Sequence, residues 1–174
     1  MMTEQDTGYA PERWQFDGEV TRVFDNMLER SIPQHDSMRE LVTSFAGKYA
    51  LPGDTLVDLG CSLGNAMEPH VHDGVTCIGL DNSPSMVASA QARFQSDQWR
   101  VHHHDLKDGL PACIASRKGI TVFQSILTLM FIPLEERHAL VRQVYEALQP
   151  SGIFIVVEKV HWNDFRMHDM TVDE

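Results

Sequence analysis

A short apolar run that leads into two glycines constrains the fold of this chain more than any other feature. The stretch Thr55–Gly64 (TLVDLGCSLG) predicts a strand, a tight glycine turn and then a helix. Glycine lets a backbone approach a ligand closely, and a helix N-terminus offers free N–H groups. A second apolar run ends at Asp81, 17 residues beyond Gly64. This spacing is typical of a β-α-β unit whose carboxylate binds the ribose of a nucleotide.

The acidic residues of the two runs narrow the range of possible ligands. A dinucleotide fingerprint needs a middle glycine to make room for a pyrophosphate, whereas three other residues separate Gly60 from Gly64. Asp58 would also repel a pyrophosphate, which disfavours a nicotinamide dehydrogenase. A carboxylate at this position suits an adenosine that carries a cationic amino-acid tail. The pattern Asp58-x-Gly60-x-x-x-Gly64, followed by Asp81, resembles the class I S-adenosylmethionine (SAM)-dependent methyltransferases.

Strands and helices are predicted to alternate along the chain after residue 50. Expected strands are 55–59, 75–80, 100–103, 120–125 and 153–158. Expected helices are 19–28, 37–49, 63–69, 84–94 and 134–148, with Met38, Leu41, Val42 and Phe45 facing inward on the second. Ser83 and Pro84 predict the N-cap and first residue of the fourth helix. We therefore predict a Rossmann-like, three-layer α-β-α sandwich with a mostly parallel sheet in the order 3-2-1-4-5.

Length and composition favour one domain that acts on a small molecule. We expect residues 1–174 to form a single domain, with a helical cap at 1–50, a core at 51–160 and a tail at 161–174. The formal charge of −11 disfavours direct nucleic-acid binding, which needs clustered Lys and Arg. The sequence contains no apolar run of about 18 residues. Three cysteines without a C-x-x-C motif are typical of a reducing compartment, so a cytoplasmic protein is expected.

Several motifs together resemble one family, the carboxy-SAM synthases. They are Trp14-x-Phe16-Asp17, Val23 to Pro33, Asp58 to Gly64, Asp81 to Met86 and Phe131 to Arg137. The resemblance covers residues 14 to 159. It implies an enzyme that takes SAM and prephenate and yields carboxy-SAM, which a partner enzyme uses to modify the wobble uridine of tRNA.

The resemblance also implies the roles of particular residues. Gly60, Cys61 and Ser62 would line the amino-acid end of SAM or carboxy-SAM, Asp81 and Asn82 would bind the ribose, and Asp105 and Leu106 would contact the adenine. Carboxylates accept hydrogen bonds from hydroxyl and amino groups, so the residue types agree. Asp81 and Asp105 have simpler alternative roles, because aspartates after strands are common in turns and caps.

The sequence departs from that family at three points. His35 replaces a tyrosine that touches the cofactor, and Gln124 to Thr128 replace a segment that carries an asparagine. The arginine that grips the extra carboxylate of carboxy-SAM lies in a C-terminal region that is missing here, as are the usual C-terminal antiparallel strands. The fifth strand would then be an apolar edge. We expect a homo-oligomer, possibly a dimer, or an unusual cap to cover it.

Other chemistry-bearing residues carry weaker indications. Arg30 is a candidate for binding an acidic substrate, although a structural salt bridge would explain it equally well. Three consecutive imidazoles, at 102–104, cannot converge on one ion from a strand, so no metal site is expected. Cys61 is interpreted as a small pocket residue at a helix N-terminus, where a thiolate would be stabilised. The catalytic residues are unknown, and His35 and His161 are candidate bases by chemistry alone.

Three functional hypotheses follow from these patterns. The first is a SAM-dependent methyltransferase that acts on a small molecule. The second is the carboxy-SAM synthase activity. The third is a SAM-binding protein or truncated subunit without turnover. Methyl transfer from a sulfonium depends mainly on the alignment of the reactants, so the lack of an evident catalytic base excludes none of them.

Overall fold

The computed structural model describes residues 18–159, which form a five-stranded sheet between two layers of helices. The strands are β1 (Thr55–Leu59), β2 (Thr76–Asp81), β3 (Trp99–His103), β4 (Ile120–Ile126) and β5 (Leu148–Val157). The helices are α1 (Gly18–Ser31), α2 (His35–Tyr49), α3 (Glu68–His72), α4 (Pro84–Arg93), α5 (Ala112–Ala115) and α6 (Leu134–Ala147). Two short 3-10 helices cover Leu106–Asp108 and Leu129–Phe131.

The sheet has the strand order β3-β2-β1-β4-β5, and all neighbouring strands are parallel. This confirms the predicted fold class and strand order. The chain leaves β1 toward β2 on one side, and β4 later pairs with β1 on the other side. Such a reversal opens a crevice at the carboxyl ends of the central strands, where ligands bind in open α/β sheets. Asp58 lies at this edge, with Gly79 of β2 and Gln124 of β4 as its register partners.

Each face of the sheet carries its own buried core. Successive side chains of a strand point to opposite faces, so Leu56 and Val57 of β1 belong to different cores. Leu56 packs with residues of α2, α3 and α4, whereas Val57 packs with residues of α5 and α6. β1 is buried along its whole length, as expected for the central strand of a parallel sheet.

Three predicted elements differ in the structure. The strand expected at 153–158 begins earlier, at Leu148, and ends at Val157. Val42 of α2 is buried as predicted, whereas Leu41 and Phe45 are 59% and 47% exposed and Ala46 is buried in their place. The small alanine lets the helix approach the sheet closely, whereas the prediction gave weight to the larger side chains. The helix expected at 63–69 was also placed too early. Residues 62–67 form turns, and α3 begins only at Glu68, with Pro69 in its first turn.

The expected start of α4 is confirmed. Ser83 Oγ accepts a hydrogen bond from the backbone N–H of Met86 at 3.3 Å, and Pro84 is the first helical residue. This is the N-cap arrangement that satisfies one of the free N–H groups at a helix start. α4 therefore begins directly after β2, at the crevice.

β5 lies at the edge of the sheet in the part of the chain that the structure describes. Its Val156 is 44% exposed. The expected homo-oligomer stays a prediction, as does the division into cap, core and tail. Trp14, Phe16, His161 and the expected tail at 161–174 lie outside the described residues. Among helices within residues 18–159, none combines the length and apolar character needed to cross a membrane.

Candidate functional site

A cavity of about 1060 Å³ lies at the carboxyl ends of the central strands. The loops after β1, β2 and β3 form one side of it, and α1, the start of α2 and the segment after β4 form the rest. The structure brings most of the predicted site residues to its lining. They are Asp58, Gly60, Cys61, Ser62, Asp81, Asn82, Asp105, Leu106 and His35. Their individual binding roles stay predictions.

Asp58 is a buried carboxyl group beside the cavity. Its side chain is 2% exposed, and its Oδ2 accepts a hydrogen bond from Gln124 Nε2 at 2.9 Å. Burial is the main cause that raises the pKa of Asp58 to about 7; the hydrogen bond from Gln124 partly opposes this rise and the nearby Asp81 adds to it. An ionised carboxylate is costly in such a place unless a cation or further donors compensate it. The position is therefore suited to a positively charged ligand group.

Asp81 joins the two loops that form the floor of the cavity. Its Oδ2 accepts from the backbone N–H of Ser62 at 2.8 Å, and its Oδ1 accepts from that of Ser83 at 2.9 Å. Burial raises the pKa of Asp81, while the backbone N–H groups of Ser83, Ser62 and Asn82 and the nearby His103 oppose that rise. The hydrogen bond from Ser83 shows that Asp81 stabilises a turn, which is the alternative role given above for this residue. Carboxylate oxygens have further lone pairs, so the turn role leaves acceptor capacity for ligand hydroxyls.

The two glycines of the first loop make room for protein side chains. Both have left-handed backbones, with φ of 79° at Gly60 and 81° at Gly64. A Cβ at Gly60 would overlap the side chain of Thr128, and a Cβ at Gly64 would lie 2.5 Å from the ring of Trp99. Gly64 does not line the cavity. The sequence alone did not show which side chains fill the space beside these glycines, and their expected role in cofactor binding stays a prediction.

Gly64→Ala is expected to destabilise the fold by about 2–5 kcal/mol, because a left-handed alanine costs about 1–2 kcal/mol and overpacking adds about 1–3 kcal/mol. Gly119→Ala is the matched control, since Gly119 has the same φ of 81° and nothing lies within 4 Å of its Cβ position. Denaturant unfolding of both variants measures the difference. Equal losses in the two variants would contradict a packing role for Gly64.

Cys61 is a buried thiol, and one expectation about it was wrong. α3 begins at Glu68, so no helix N-terminus lies at Cys61 to stabilise a thiolate. Burial and the neighbouring Asp58 and Asp81 raise the pKa of its thiol well above the ordinary value. Cys61 is therefore a neutral, small residue of the cavity wall.

Asp105 and Leu106 lie at the third strand end. Asp105 Oδ1 accepts from the backbone N–H of Lys107 at 3.0 Å, so this aspartate caps a short 3-10 helix. Next to it, His104 Nε2 lies 2.7 Å from the carbonyl oxygen of Gly109, and His103 Nε2 lies 3.0 Å from that of Asn82. In the part of the chain that the structure describes, no three His, Cys, Asp or Glu side chains could hold a metal ion.

His35 and Arg30 lie in different surroundings. His35 begins α2, is 8% exposed and lines the cavity, and its Nδ1 lies 3.7 Å from Asp36 Oδ1. Gln34 before it has a left-handed φ of 54°. Arg30 lies in the last turn of α1, is exposed and does not line the cavity. The structure therefore separates Arg30 from the other predicted site residues.

The sequence reasoning missed an apolar side of the cavity. It consists of Phe24, Met27, Leu28, Ile32 and Pro33 from the α1 region and of Ile126, Leu127, Met130, Phe131 and Ile132 after β4. It also missed Gln124 as the partner of Asp58. Apolar residues in a helix or after a strand are indistinguishable in sequence from ordinary core residues, so no sequence signal could have identified them.

Comparison with known proteins places this chain in a family. The model of the family described as "Methyltransferase domain" matches residues 56–152. The chain belongs to the methyltransferase-domain family of SAM-dependent transferases. The predicted family and cofactor class are thereby confirmed.

The relatives of this SAM-dependent transferase include carboxy-S-adenosyl-L-methionine synthases. It is 35% identical to that of Shewanella putrefaciens, over 94% of this chain and 70% of the relative, and 30% identical to that of Pasteurella multocida, over 91% and 66%. The chain thus spans about two thirds of the length of these relatives. A TehB-like SAM-dependent methyltransferase from Corynebacterium glutamicum has the same fold, with a TM-score of 0.62 at 16% identity, covering 79% of this chain and 70% of that one.

Proposed function

We propose that this chain binds SAM in the cavity at the ends of β1 and β2 and transfers its methyl group to a small molecule. One observation carries the proposal. Two carboxylates, Asp58 and Asp81, lie at adjacent strand ends of one cavity, the first without a cationic partner among the described residues and the second held by two backbone N–H groups. Cationic and hydroxyl groups on one ligand would complement both.

The residues fit SAM by their chemistry. Asp58 is buried with a single hydrogen-bond donor, and a positive ligand charge would favour its ionised form. Asp81 can accept ribose hydroxyls while it keeps its bonds to Ser62 and Ser83. Asp105 and Leu106 offer an acceptor and an apolar contact at the next strand end. The deep acidic floor disfavours a pyrophosphate for the same reason that it favours a cation.

The chain's own contribution to the reaction would be alignment. Bound SAM supplies a methyl group on a positively charged sulfur, ready for in-line displacement. Asp58 would compensate the positive charge of the ligand, and Asp81 would fix the sugar. Orientation of two reactants in one cavity lowers the barrier without a strong acid or base. The apolar side of the cavity would exclude water from the reacting atoms.

The size and lining of the cavity support a small-molecule acceptor. Its volume of about 1060 Å³ is slightly above the range of about 300–1,000 Å³ for ligand pockets, which leaves space beside one ligand. The extra space would lie along α1 and the segment after β4, where Met27, Leu28 and Phe131 are lining residues. The net charge of −11 opposes binding to a phosphate backbone.

Carboxy-SAM synthesis is the second candidate function. It is favoured by the relatives of that name at 30% and 35% identity. Its substrate, prephenate, would bring carboxylates to a cavity whose lining includes Arg39, Lys107 and Lys159. Conversion of SAM and prephenate to carboxy-SAM, followed by mass spectrometry, separates this activity from methyl transfer.

Isothermal titration with SAM tests the proposal directly. We expect saturable binding to the ligand-free protein, and no binding of NAD⁺, because of the carboxylate at the glycine turn. Native mass spectrometry of the purified protein then shows whether SAM or the heavier carboxy-SAM is retained. Failure to bind SAM at about 1 mM, equivalent to binding weaker than about −4 kcal/mol, would contradict the proposed function. Binding without transfer to any acceptor would favour the third hypothesis, a SAM-binding protein without turnover.

A further inference from the structure

One wall of the cavity is a short segment in a strained conformation. This wall segment, residues 126–132, begins at the last residue of β4 and supplies the lining residues Ile126, Leu127, Thr128, Met130, Phe131 and Ile132. Leu127 has a φ of 54°, in the left-handed region that a non-glycine residue enters only at a cost. Such a conformation persists when surrounding contacts hold it. The contacts that hold the wall segment therefore determine the shape of the cavity.

The carboxylate of Glu158 binds the backbone at the beginning of the wall segment. This residue follows β5, and its Oε1 accepts from the backbone N–H of Leu129 at 2.6 Å. The backbone N–H groups of Thr128 and Met130 also interact with this carboxylate. These three N–H groups lie at the start of a 3-10 helix, where the helix itself supplies no acceptors. The carboxylate thus acts as a cap that is contributed by the residue directly after β5.

Arg137 of α6 holds the other end of the same segment. Its Nε donates to the carbonyl oxygen of Ile132 at 2.8 Å, and its Nη2 donates to that of Met130 at 3.3 Å. Its charge also interacts favourably with the carboxylate of Glu158. An anion therefore binds the free N–H groups of the short helix, and a cation binds its carbonyl groups. Both charges complement the dipole of the turn.

The wall segment also contacts the glycine turn. The side chain of Thr128 occupies the space beside Gly60 that any Cβ would need. A shift of the wall segment would therefore displace the loop that carries Cys61 and Ser62, both of which line the cavity.

We propose that Glu158 and Arg137 are positioning residues, which hold the wall segment in the conformation that shapes the cofactor cavity. Neither residue is among those that line the cavity, so each would act through the backbone that it holds. The inference rests on the proposed function, because the cofactor is the ligand whose affinity should respond. It deepens that function by adding two residues, one directly after β5 and one in α6, to the set that determines ligand affinity.

The test compares Glu158→Ala, Glu158→Gln and Arg137→Ala with a matched control, Glu146→Ala. Glu146 is an exposed carboxylate whose ion pair with Arg142 lies on the surface of α6. SAM affinity is measured by titration calorimetry, and amide hydrogen exchange of a peptide covering 126–133 is measured without ligand. We expect Glu158→Ala and Arg137→Ala to weaken SAM binding about tenfold and to speed exchange in that peptide, because charge-assisted bonds to it are lost. Glu158→Gln keeps one acceptor oxygen and should retain affinity within about threefold.

The outcomes separate this inference from the proposed function. Unchanged SAM affinity in Glu158→Ala, or unchanged exchange in the 126–133 peptide, overturns the inference. A purely structural role would lower the unfolding temperature and leave the SAM affinity of the folded protein unchanged, which also overturns it. If the unmodified protein binds no SAM, the proposed function fails, and the positioning of the wall segment is then decided by the exchange rates alone. Parallel effects in Glu146→Ala would show that the response is not specific to Glu158.

Discussion

Asp81→Asn is expected to weaken SAM binding by about 100-fold or more. The carboxylate accepts the backbone N–H groups of Ser62 and Ser83 and, under the proposed function, the ribose hydroxyls as well. An asparagine presents an NH₂ group to one of those two N–H donors, so one loop loses its anchor. Each charge-assisted hydrogen bond contributes about 1.5–3 kcal/mol. The loss of two such bonds, one to a loop N–H group and one to a ribose hydroxyl, corresponds to about 100-fold or more in affinity. Titration calorimetry with SAM measures the effect.

Asp97→Asn is the control for this experiment. Asp97 is exposed, lies in the loop before β3 and does not line the cavity. The same change of charge should leave SAM affinity within about twofold, since surface charges away from a site have small effects. Thermal unfolding of both variants shows whether they are folded at the temperature of the titration. Wild-type affinity in a folded Asp81→Asn protein would refute the assignment of Asp81 to the ligand.

Asp58→Asn is expected to abolish a pH dependence of SAM affinity. The pKa of Asp58 is about 7 in the ligand-free protein, and a cationic ligand binds best when this group is ionised. Below pH 7 the ligand must first displace the proton, so wild-type affinity should be about tenfold higher at pH 8 than at pH 6. The ligand's own amino group titrates equally in experiments with the wild type and with Asp58→Asn, so it does not cause a difference between their pH profiles. A pH profile in Asp58→Asn that matches the wild type would contradict the role of Asp58.

The same substitution should stabilise the ligand-free protein at neutral and higher pH. The pKa of Asp58 is raised from 3.8 to about 7 on folding, so the folded state holds a proton that the unfolded state has lost. The stabilisation that the protonated Asp58 gives to the folded state is complete below about pH 4 and is lost as the pH rises through 7. Relative to Asp58→Asn, the wild type should lose about 3 kcal/mol of unfolding free energy between pH 5 and pH 8. Urea unfolding at both pH values measures this difference, and a constant difference would show that Asp58 is not buried as described.

Some parts of the site could be predicted from the sequence because their signals are local. Asp58 and Asp81 lie at the carboxyl ends of β1 and β2, and the ends of parallel strands meet at one edge of the sheet. Ser83 and Pro84 begin α4 because capping depends on residues next to each other. Gln124 could not be recognised in the same way. It reaches Asp58 across 66 positions of sequence, and nothing in its neighbours indicates that partner.

The sequence by itself determined the family, the strand order and the strand ends at which Asp58 and Asp81 lie. These follow from the period of the apolar residues and the position of the glycines and acids relative to them. Only the tertiary structure decided what fills the space beside Gly60 and Gly64, that α3 begins at Glu68, and that Glu158 and Arg137 hold the wall segment. The reason is physical, because packing and long-range hydrogen bonds depend on which distant residues meet. A local sequence pattern does not show which distant residues are in contact.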